Sequence, residues 1–265
     1  MAVPTDPILL GRNLGKRYGA IEALAGVDIA LRSGEVTSLC GDNGAGKSTL
    51  VKILSGAATP TTGKLQINGE AVRLRSPRDA QQVGVETVFQ DLGIAPHLTV
   101  TENVFLGREI PLPGLLGKLG MMDRKAMHGA TGDAVSRVKI NLPGLDYIVE
   151  SMSGGQRQAV AVSRTIIGRA SIVLLDEPTA ALGVQETSRV ADLIGRLRDA
   201  RVAVLMISHD LPMVMELSDR VVILRHGRKV GDIDAAEHTV DDVIAYITGH
   251  KVQDQPRHRA AQEIS

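Results

Sequence analysis

Aromatic residues and cysteine are nearly missing from this chain, which has no Trp, two Phe, three Tyr and one Cys in 265 residues. So few rings argue against single-strand nucleic-acid binding by stacked bases, which needs an aromatic platform. The lone Cys40 cannot form an internal disulfide, which fits a reducing compartment. Its place beside a glycine-rich loop invites a redox role, but a small buried apolar residue is the plainer reading. Net charge is missing too, since 30 Lys and Arg offset 30 Asp and Glu. Composition therefore carries no general attraction to nucleic acid or to an anionic membrane surface. No run of about 18 apolar residues occurs, so no segment is expected to span a bilayer and any membrane role must come through a partner. The first residues carry Pro4, Asp6 and Pro7 and no basic-then-apolar run, so no signal peptide is expected. No internal repeat is found, and the length suits one large domain or a domain with lobes.

What the chain does have is Gly41-Asp42-Asn43-Gly44-Ala45-Gly46-Lys47-Ser48-Thr49, an ungapped match to G-x-x-x-x-G-K-[ST]. Glu35 to Cys40 before it suits a buried strand, and Leu50 to Leu54 after it reads as a helix stopping near Gly56. Strand, glycine loop and helix together make a phosphate site of what would otherwise be a string match. The glycines let successive N–H groups turn inward onto phosphate oxygens, and the helix N-terminus adds partial positive charge. Lys47 would reach the β- and γ-phosphates of a nucleoside triphosphate, and the Ser48 hydroxyl would ligate Mg²⁺.

Around this loop, Ile8 to Leu31 reads as short strands and turns punctuated by Gly11, Gly15, Gly19 and Gly26. Tyr18 could stack on a base, although a core or surface tyrosine is the more ordinary reading. Thr59 to Gly63 is a turn, Lys64 to Ile67 alternates like a strand, and Asn68-Gly69 signals a hairpin. Val83 to Phe89 is another strand, ending at Gln90. From Asp91 the character changes to helical. Thr99 and Glu102 form a capping box, and Pro111, Pro113, Gly114, Gly117 and Gly120 mark a loose insertion. Asp123 to Lys139 reads as a helix interrupted at Gly129 and Gly132. Met121, Met122 and Met127 are expected to fill core. The stretch from 91 to about 163 is thus read as a helical lobe inserted into a sheet-based core (8–90 and 164–249), all within residues 1–250, with a disordered polar tail over 251–265.

Two further stretches carry chemistry. Ser153-Gly154-Gly155-Gln156 opens a helix over Arg157 to Arg169, with Ser153 placed to cap it and two glycines leaving N–H groups accessible. This is a possible second anion site, though a capped helix start needs no ligand. Ser171 to Leu175 reads as a parallel strand buried on both faces, ending in Asp176-Glu177. Adjacent carboxylates there need a reason, because buried charge is costly unless paired or bound to metal. At the carboxyl edge of a parallel sheet, Asp176 could hold Mg²⁺ through water while Glu177 polarises the attacking water. Gly183 to Ala200 reads as a helix with Val190, Leu193, Ile194 and Leu197 on one face. Val202 to Ile207 is a buried strand that brings His209 out at the same edge as Glu177. Val221 to Val230 suits a closing hairpin, and Val240 to Tyr246 a last short helix.

This set, over roughly Ile8 to Gly249, resembles the ATP-binding subunit of an ABC transporter. The fold implied is an α/β P-loop NTPase (RecA-like) core with an N-terminal antiparallel β layer and an inserted helical lobe. On that resemblance Tyr18 stacks on adenine and Gly41 to Thr49 is the Walker A loop. Gln90 touches Mg²⁺ and the attacking water, and Ser153 to Gln156 is the signature, with Met152 where Leu is usual. Asp176 and Glu177 form the Walker B pair, and His209 is the switch histidine on the γ-phosphate. Two subunits, a homodimer or a pair with a paralogue, would pack head-to-tail. Ser153 and Gly155 of one chain would then contact the γ-phosphate held by Lys47 of the other. The partners implied are integral-membrane permease subunits and, through them, a solute-binding protein, at the cytoplasmic face of the membrane. The glycine loop, Pro96 to Asn103 and Glu177 to Leu182 are similar to bacterial monosaccharide importers of the ribose/xylose/fructose type. One departure is Gly183, where the family usually has an Asp that helps the two sites communicate. The other readings are an ABC ATPase for another solute, a soluble ABC ATPase outside transport and a nucleotide-gated regulator.

Overall fold

Left-handed turns fold the front of the chain into an antiparallel layer. The computed structural model describes residues 6–88, 93–137, 142–167, 170–180 and 183–252. Gln90, most of the expected tail and the loop residues Ala181 and Leu182 lie outside them. Strand β1 (Leu9–Tyr18) pairs with β2 (Ile21–Leu31). After β3 (Val36–Cys40) and helix α1 (Lys47–Leu54), β4 (Thr62–Ile67) returns to β1 and turns into β5 (Glu70–Val72). Asn68 and Gly69, at φ 52° and 80°, make the tight hairpin read from their sequence. The expectation of short strands punctuated by four glycines is corrected, because only Gly19 sits at a turn. Gly11 and Gly15 lie inside β1, beside its register shifts, and a Cβ on Gly15 would strike the Thr62 hydroxyl of β4. Glycine there serves close strand approach and bulging rather than chain reversal.

Helix α2 (Pro77–Gln82) precedes β6 (Val85–Val88). It escaped the sequence reading, although Ser76 accepts a hydrogen bond from Asp79 N–H and Pro77 sits at the first helical position, both ordinary start signals. The lobe follows, with α3 (Val100–Phe105), α4 (Leu115–Lys118), α5 (Arg124–Arg137) and α6 (Gly154–Ile167). The Thr99–Glu102 capping box forms in both directions. Helix α5 runs unbroken through Gly129 and Gly132, contrary to expectation, since a glycine costs a helix only about 1 kcal/mol and Gly132 lies against Leu145. Met127 is buried as expected, but Met121 and Met122 are 51% and 45% exposed. They belong to a closed loop rather than a loose one. Leu112 N–H bonds to Met121 O at 2.9 Å and Asp123 N–H to Ile110 O at 2.7 Å, and those bonds hold the two methionines outward. The lobe has its own apolar cluster of Val100, Val104, Phe105, Met127, Val149, Met152 and Val160.

The rest of the chain completes a parallel sheet: β7 (Ile172–Asp176), α7 (Val184–Asp199), β8 (Ala203–Ile207), α8 (Leu211–Leu217), β9 (Arg220–Arg225), β10 (Arg228–Asp234) and α9 (Val240–Thr248). The order is β10-β9-β3-β8-β7-β6, parallel except for β10. Every residue of β3 and β8 is buried, as continuous apolar runs require when both faces are covered. One face packs with α1 and the antiparallel layer through Leu50, Leu54, Leu174 and Leu205. The other receives the expected stripe of α7, Val190, Leu193, Ile194 and Leu197, together with Val243 of α9. Because β3, β7 and β8 run parallel in register, with Leu39 and Asp176 both opposite Ile207, their carboxyl ends share one edge.

Candidate functional site

Strand β3 delivers the glycine loop to that edge, and α1 starts at Lys47 behind Gly46. No side chain caps this helix start, so its first-turn N–H groups remain available to an anion. Gly41, Gly44 and Gly46 have φ of 148°, 78° and 103°, values that L side chains rarely adopt. A Cβ on Gly44 would meet nothing within 4 Å, so its backbone faces open space. The other two have a second reason to be glycine that the motif does not reveal. A Cβ on Gly41 would run into the Leu224 carbonyl, and one on Gly46 would lie 2.7 Å from Leu24 Cδ2 and 2.8 Å from Ala23 O. The β9–β10 turn supports the loop from behind: Gly227 N–H donates to Ala45 O at 3.0 Å and accepts on its carbonyl from Ala25 N–H at 2.8 Å.

Lys47 is only 7% exposed, and its Nζ donates to Gly41 O at 2.7 Å and Asp42 O at 3.0 Å. Burial pulls its pKa below the usual lysine value, against the opposing pull of Cys40, Glu177, Asp42 and Asp176. Cys40 beneath it is buried and its thiol is pushed up to about 12 by that burial. It is an inert packing residue and not a redox centre.

At the end of β7, burial and then the adjacent Glu177 raise the Asp176 carboxyl above the ordinary range. Glu177 itself adopts φ 51°, a left-handed conformation uncommon for a residue with a side chain. It is held there by Glu177 N–H to Ile207 O at 3.0 Å and Ala180 N–H to Glu177 O at 3.1 Å. Such backbone strain concentrates at functional sites, and the sequence carried no sign of it. Glu177 Oε1 lies 2.9 Å from His209 Nε2, and Asp210 beyond it caps α8 by accepting from Met213 N–H. The edge thus brings together Lys47, Ser48, Asp176, Glu177 and His209, together with Asn43, Gly44, Ala45 and Thr49 of the loop and its first turn.

The remaining candidates lie apart. Tyr18 is 47% exposed at the end of β1, opposite Ile21, with Lys16 Nζ 5.1 Å from its ring centre. The second strand of that hairpin is the one that touches Gly46. Ser153 Oγ accepts from Gln156 N–H at 3.3 Å, and Gln156 Oε1 accepts from Ser153 N–H at 3.0 Å, a reciprocal cap for α6. Ser153 and Gly154 are exposed and Gly155 is buried. Among the described residues, no hydrogen bond or ion pair joins these four positions to Lys47, Asp176, Glu177 or His209 within one chain. Also among the described residues, no group of three or more His, Cys, Asp or Glu could cage a metal, and no helix is long and apolar enough to cross a membrane.

Comparison with known proteins gives these features a common origin. The chain is 43% identical over 248 residues to the fructose import ATP-binding protein of Rhizobium meliloti, covering 93% of this chain and 95% of that one. It is 40% identical over 248 residues to the ribose import ATP-binding protein of Yersinia pestis bv. Antiqua (strain Antiqua), covering 94% of this chain and 48% of that one. The chain therefore spans about half the length of the ribose relative. A crystal structure of a nucleotide-free ATP-binding cassette from an ABC transporter superposes with a TM-score of 0.77, covering 90% of this chain and 95% of that one. At 23% identity it speaks for the fold, which is the α/β cassette with its antiparallel layer and helical lobe. The ABC transporter family pattern matches residues 24–180, a span that holds the glycine loop, the Ser153 helix start and the Asp176–Glu177 pair, and by that match the chain belongs to the ABC transporter family.

Proposed function

We propose that this ABC-type ATPase drives import of a monosaccharide, with ATP-dependent head-to-tail pairing of two copies, or of a copy and a paralogue, as the power step. The observation that carries the catalytic part is the convergence of Lys47, Asp176, Glu177 and His209 at one sheet edge. The choice of a sugar rests on the fructose- and ribose-import relatives.

In this reading Tyr18 stacks on adenine, and the N–H groups of residues 41–49 hold the phosphates. Lys47 exchanges its bonds to Gly41 O and Asp42 O for the β- and γ-phosphate oxygens, which a desolvated ammonium does readily. Glu177 takes the proton of the attacking water as that water's oxygen bonds to the γ-phosphorus, and the bond to the ADP oxygen breaks. His209 turns its Nε2 from Glu177 to a γ-phosphate oxygen, which frees the carboxylate to meet the water. Two protein donors, Ser48 and Asp176, fit a Mg²⁺ ion bound mainly by the triphosphate rather than by a protein cage, and the family resemblance adds Gln90 as a third. That ion would neutralise charge on the β- and γ-phosphates. The exposed Ser153 helix start, left apart from Lys47 in one chain, supports closure of the site by a second copy. Permease subunits at the cytoplasmic membrane face would convert the closing into transport, with a solute-binding protein supplying the sugar.

The test is recovery of tagged Glu177→Gln protein, with ATP, from gently solubilised host membranes. Co-recovery of a multi-span membrane protein is expected, and a solute-binding protein encoded beside it should bind monosaccharides. Recovery of ribosomes, nucleic acid or soluble protein alone would overturn the transport reading.

A further inference from the structure

Away from the nucleotide edge, one buried carboxylate is gripped by a guanidinium group that also reaches the helical lobe. Glu86 of β6 is 5% exposed. Its two oxygens accept from both terminal nitrogens of Arg108, at 2.9 and 3.1 Å, and Gln81 Nε2 adds a contact at 3.4 Å. Arg108, just after α3, also donates to the Arg164 carbonyl on α6 at 3.3 Å. Arg164 in turn donates to Gly93 O at 2.8 Å. Burial, with Arg108 nearby, lowers the Arg164 pKa, and Glu86 opposes that shift. Arg108 thus ties the Glu86 carboxylate of the sheet to the backbone of α6 at the point where lobe meets sheet.

We propose that Glu86 and Arg108 are positioning residues for ATP hydrolysis. By clamping Arg108, which also donates to the Arg164 carbonyl, the Glu86 carboxylate fixes α6 and its Ser153–Gly155 start relative to the sheet that carries Lys47 and Glu177. The inference rests on the reading that this helix start completes the nucleotide site of a second copy.

Three observations support it. A buried ion pair is often no more stabilising than an apolar pair of the same volume, so stability alone does not account for one. A two-pronged guanidinium–carboxylate pair fixes angle as well as distance. Apolar packing among the described residues also crosses this junction. Ile94 packs against both the lobe cluster and the sheet cluster, while on α6 the neighbours Val160 and Ala161 divide between them. Such apolar contacts are non-directional, whereas the paired guanidinium and carboxylate are directional.

The experiment compares Glu86→Gln, Arg108→Lys and Ser153→Asp in the full chain by ATPase kinetics, nucleotide affinity and melting, and repeats each in a Glu177→Gln background to follow ATP-driven pairing. Glu86→Gln leaves the Arg108 guanidinium without its carboxylate and should lower kcat about tenfold or more, as misplacement of reacting groups by about 1 Å can, while nucleotide affinity changes less than about twofold. Pairing should weaken in step with kcat. Arg108→Lys keeps the charge but loses the fork and should fall between Glu86→Gln and the parent, which keeps the test decisive if Glu86→Gln does not fold. Folded variants that melt lower but hydrolyse and pair like the parent would overturn the proposal, as would equal loss of nucleotide affinity and kcat. If Ser153→Asp pairs normally, the fault lies in the underlying reading of the helix start. If Ser153→Asp fails to pair while Glu86→Gln and Arg108→Lys behave as the parent, only the positioning role is wrong.

Discussion

His209 Nε2 lies 2.9 Å from Glu177 Oε1, a contact between residues that leave the ends of neighbouring strands β8 and β7. It ties the carboxylate that leaves the left-handed turn at φ 51° to the neighbouring strand's histidine, which on the proposed reading exchanges Glu177 for a phosphate oxygen. Glu177→Gln should therefore abolish the base while keeping the shape of the turn. Turnover should fall by about 10²–10⁴, the usual worth of a positioned general base, with ATP affinity unchanged within about twofold. His209→Ala should lower turnover less, because Glu177 remains. Single-turnover hydrolysis measured beside equilibrium nucleotide binding separates the two effects, and a Gln variant that turns over like the parent would remove Glu177 from the mechanism.

Asp176 yields a prediction about pH. Its folded pKa is raised by burial and by Glu177, so the folded state binds its proton more tightly than the unfolded chain does. Its protonation thus favours folding, a contribution fully present below the unfolded carboxylate value of about 4 and lost as pH rises through the higher folded value. Asp176→Asn has no such penalty. At neutral pH the nucleotide-free Asn variant should melt above the parent, and below about pH 4 the difference should vanish. On the proposed reading ATPase activity should nonetheless drop, because the carboxylate would help hold the ion that accompanies ATP. A variant that melts lower at neutral pH would show that Asp176 is a structural partner instead.

Much of this site was legible in the sequence because its chemistry is local. The glycine loop, the apolar runs ending in Asp176-Glu177 and His209, the α7 stripe and the Thr99 capping box are all patterns within a few residues. What escaped depends on tertiary context. The Glu86–Arg108 pair joins positions 22 residues apart with no period to betray them. The need for glycine at Gly41 and Gly46 comes from Leu224 and from Ala23 and Leu24, on strands elsewhere in the chain. The left-handed Glu177 follows from its bond to Ile207 O, which depends on the pairing of β7 with β8. Gly129 and Gly132 were overvalued as breakers because helix packing outweighs a small intrinsic preference.

Gly183 occupies the N-cap of α7 with φ −75° and ψ 171°, and no side chain caps the helix. An aspartate accepts that conformation without strain and supplies both an acceptor for a first-turn N–H and a charge favourable to the helix dipole. Gly183→Asp should stabilise the chain by a few tenths to about 1 kcal/mol, read from the denaturant midpoint at constant slope. If this position also carries communication between paired sites, the variant should raise the cooperativity of ATP hydrolysis, and an unchanged Hill coefficient would confine the residue to capping.

Ser153 allows its two roles to be separated. As a cap, its Oγ accepts from Gln156 N–H at 3.3 Å, and Ser153→Ala should cost about 1 kcal/mol. Ser153→Asp keeps an acceptor in place and suits the helix dipole, so its melting temperature should match or exceed the parent's. The same carboxylate would face the triphosphate of a partner subunit, and like charges set against each other across an interface cost several kcal/mol. ATP-driven pairing of Ser153→Asp in the Glu177→Gln background should then weaken more than about tenfold, as followed by light scattering against ATP concentration. A stable Asp variant that fails to pair assigns the α6 start to nucleotide contact. One that pairs like the parent leaves it a capped terminus and nothing more.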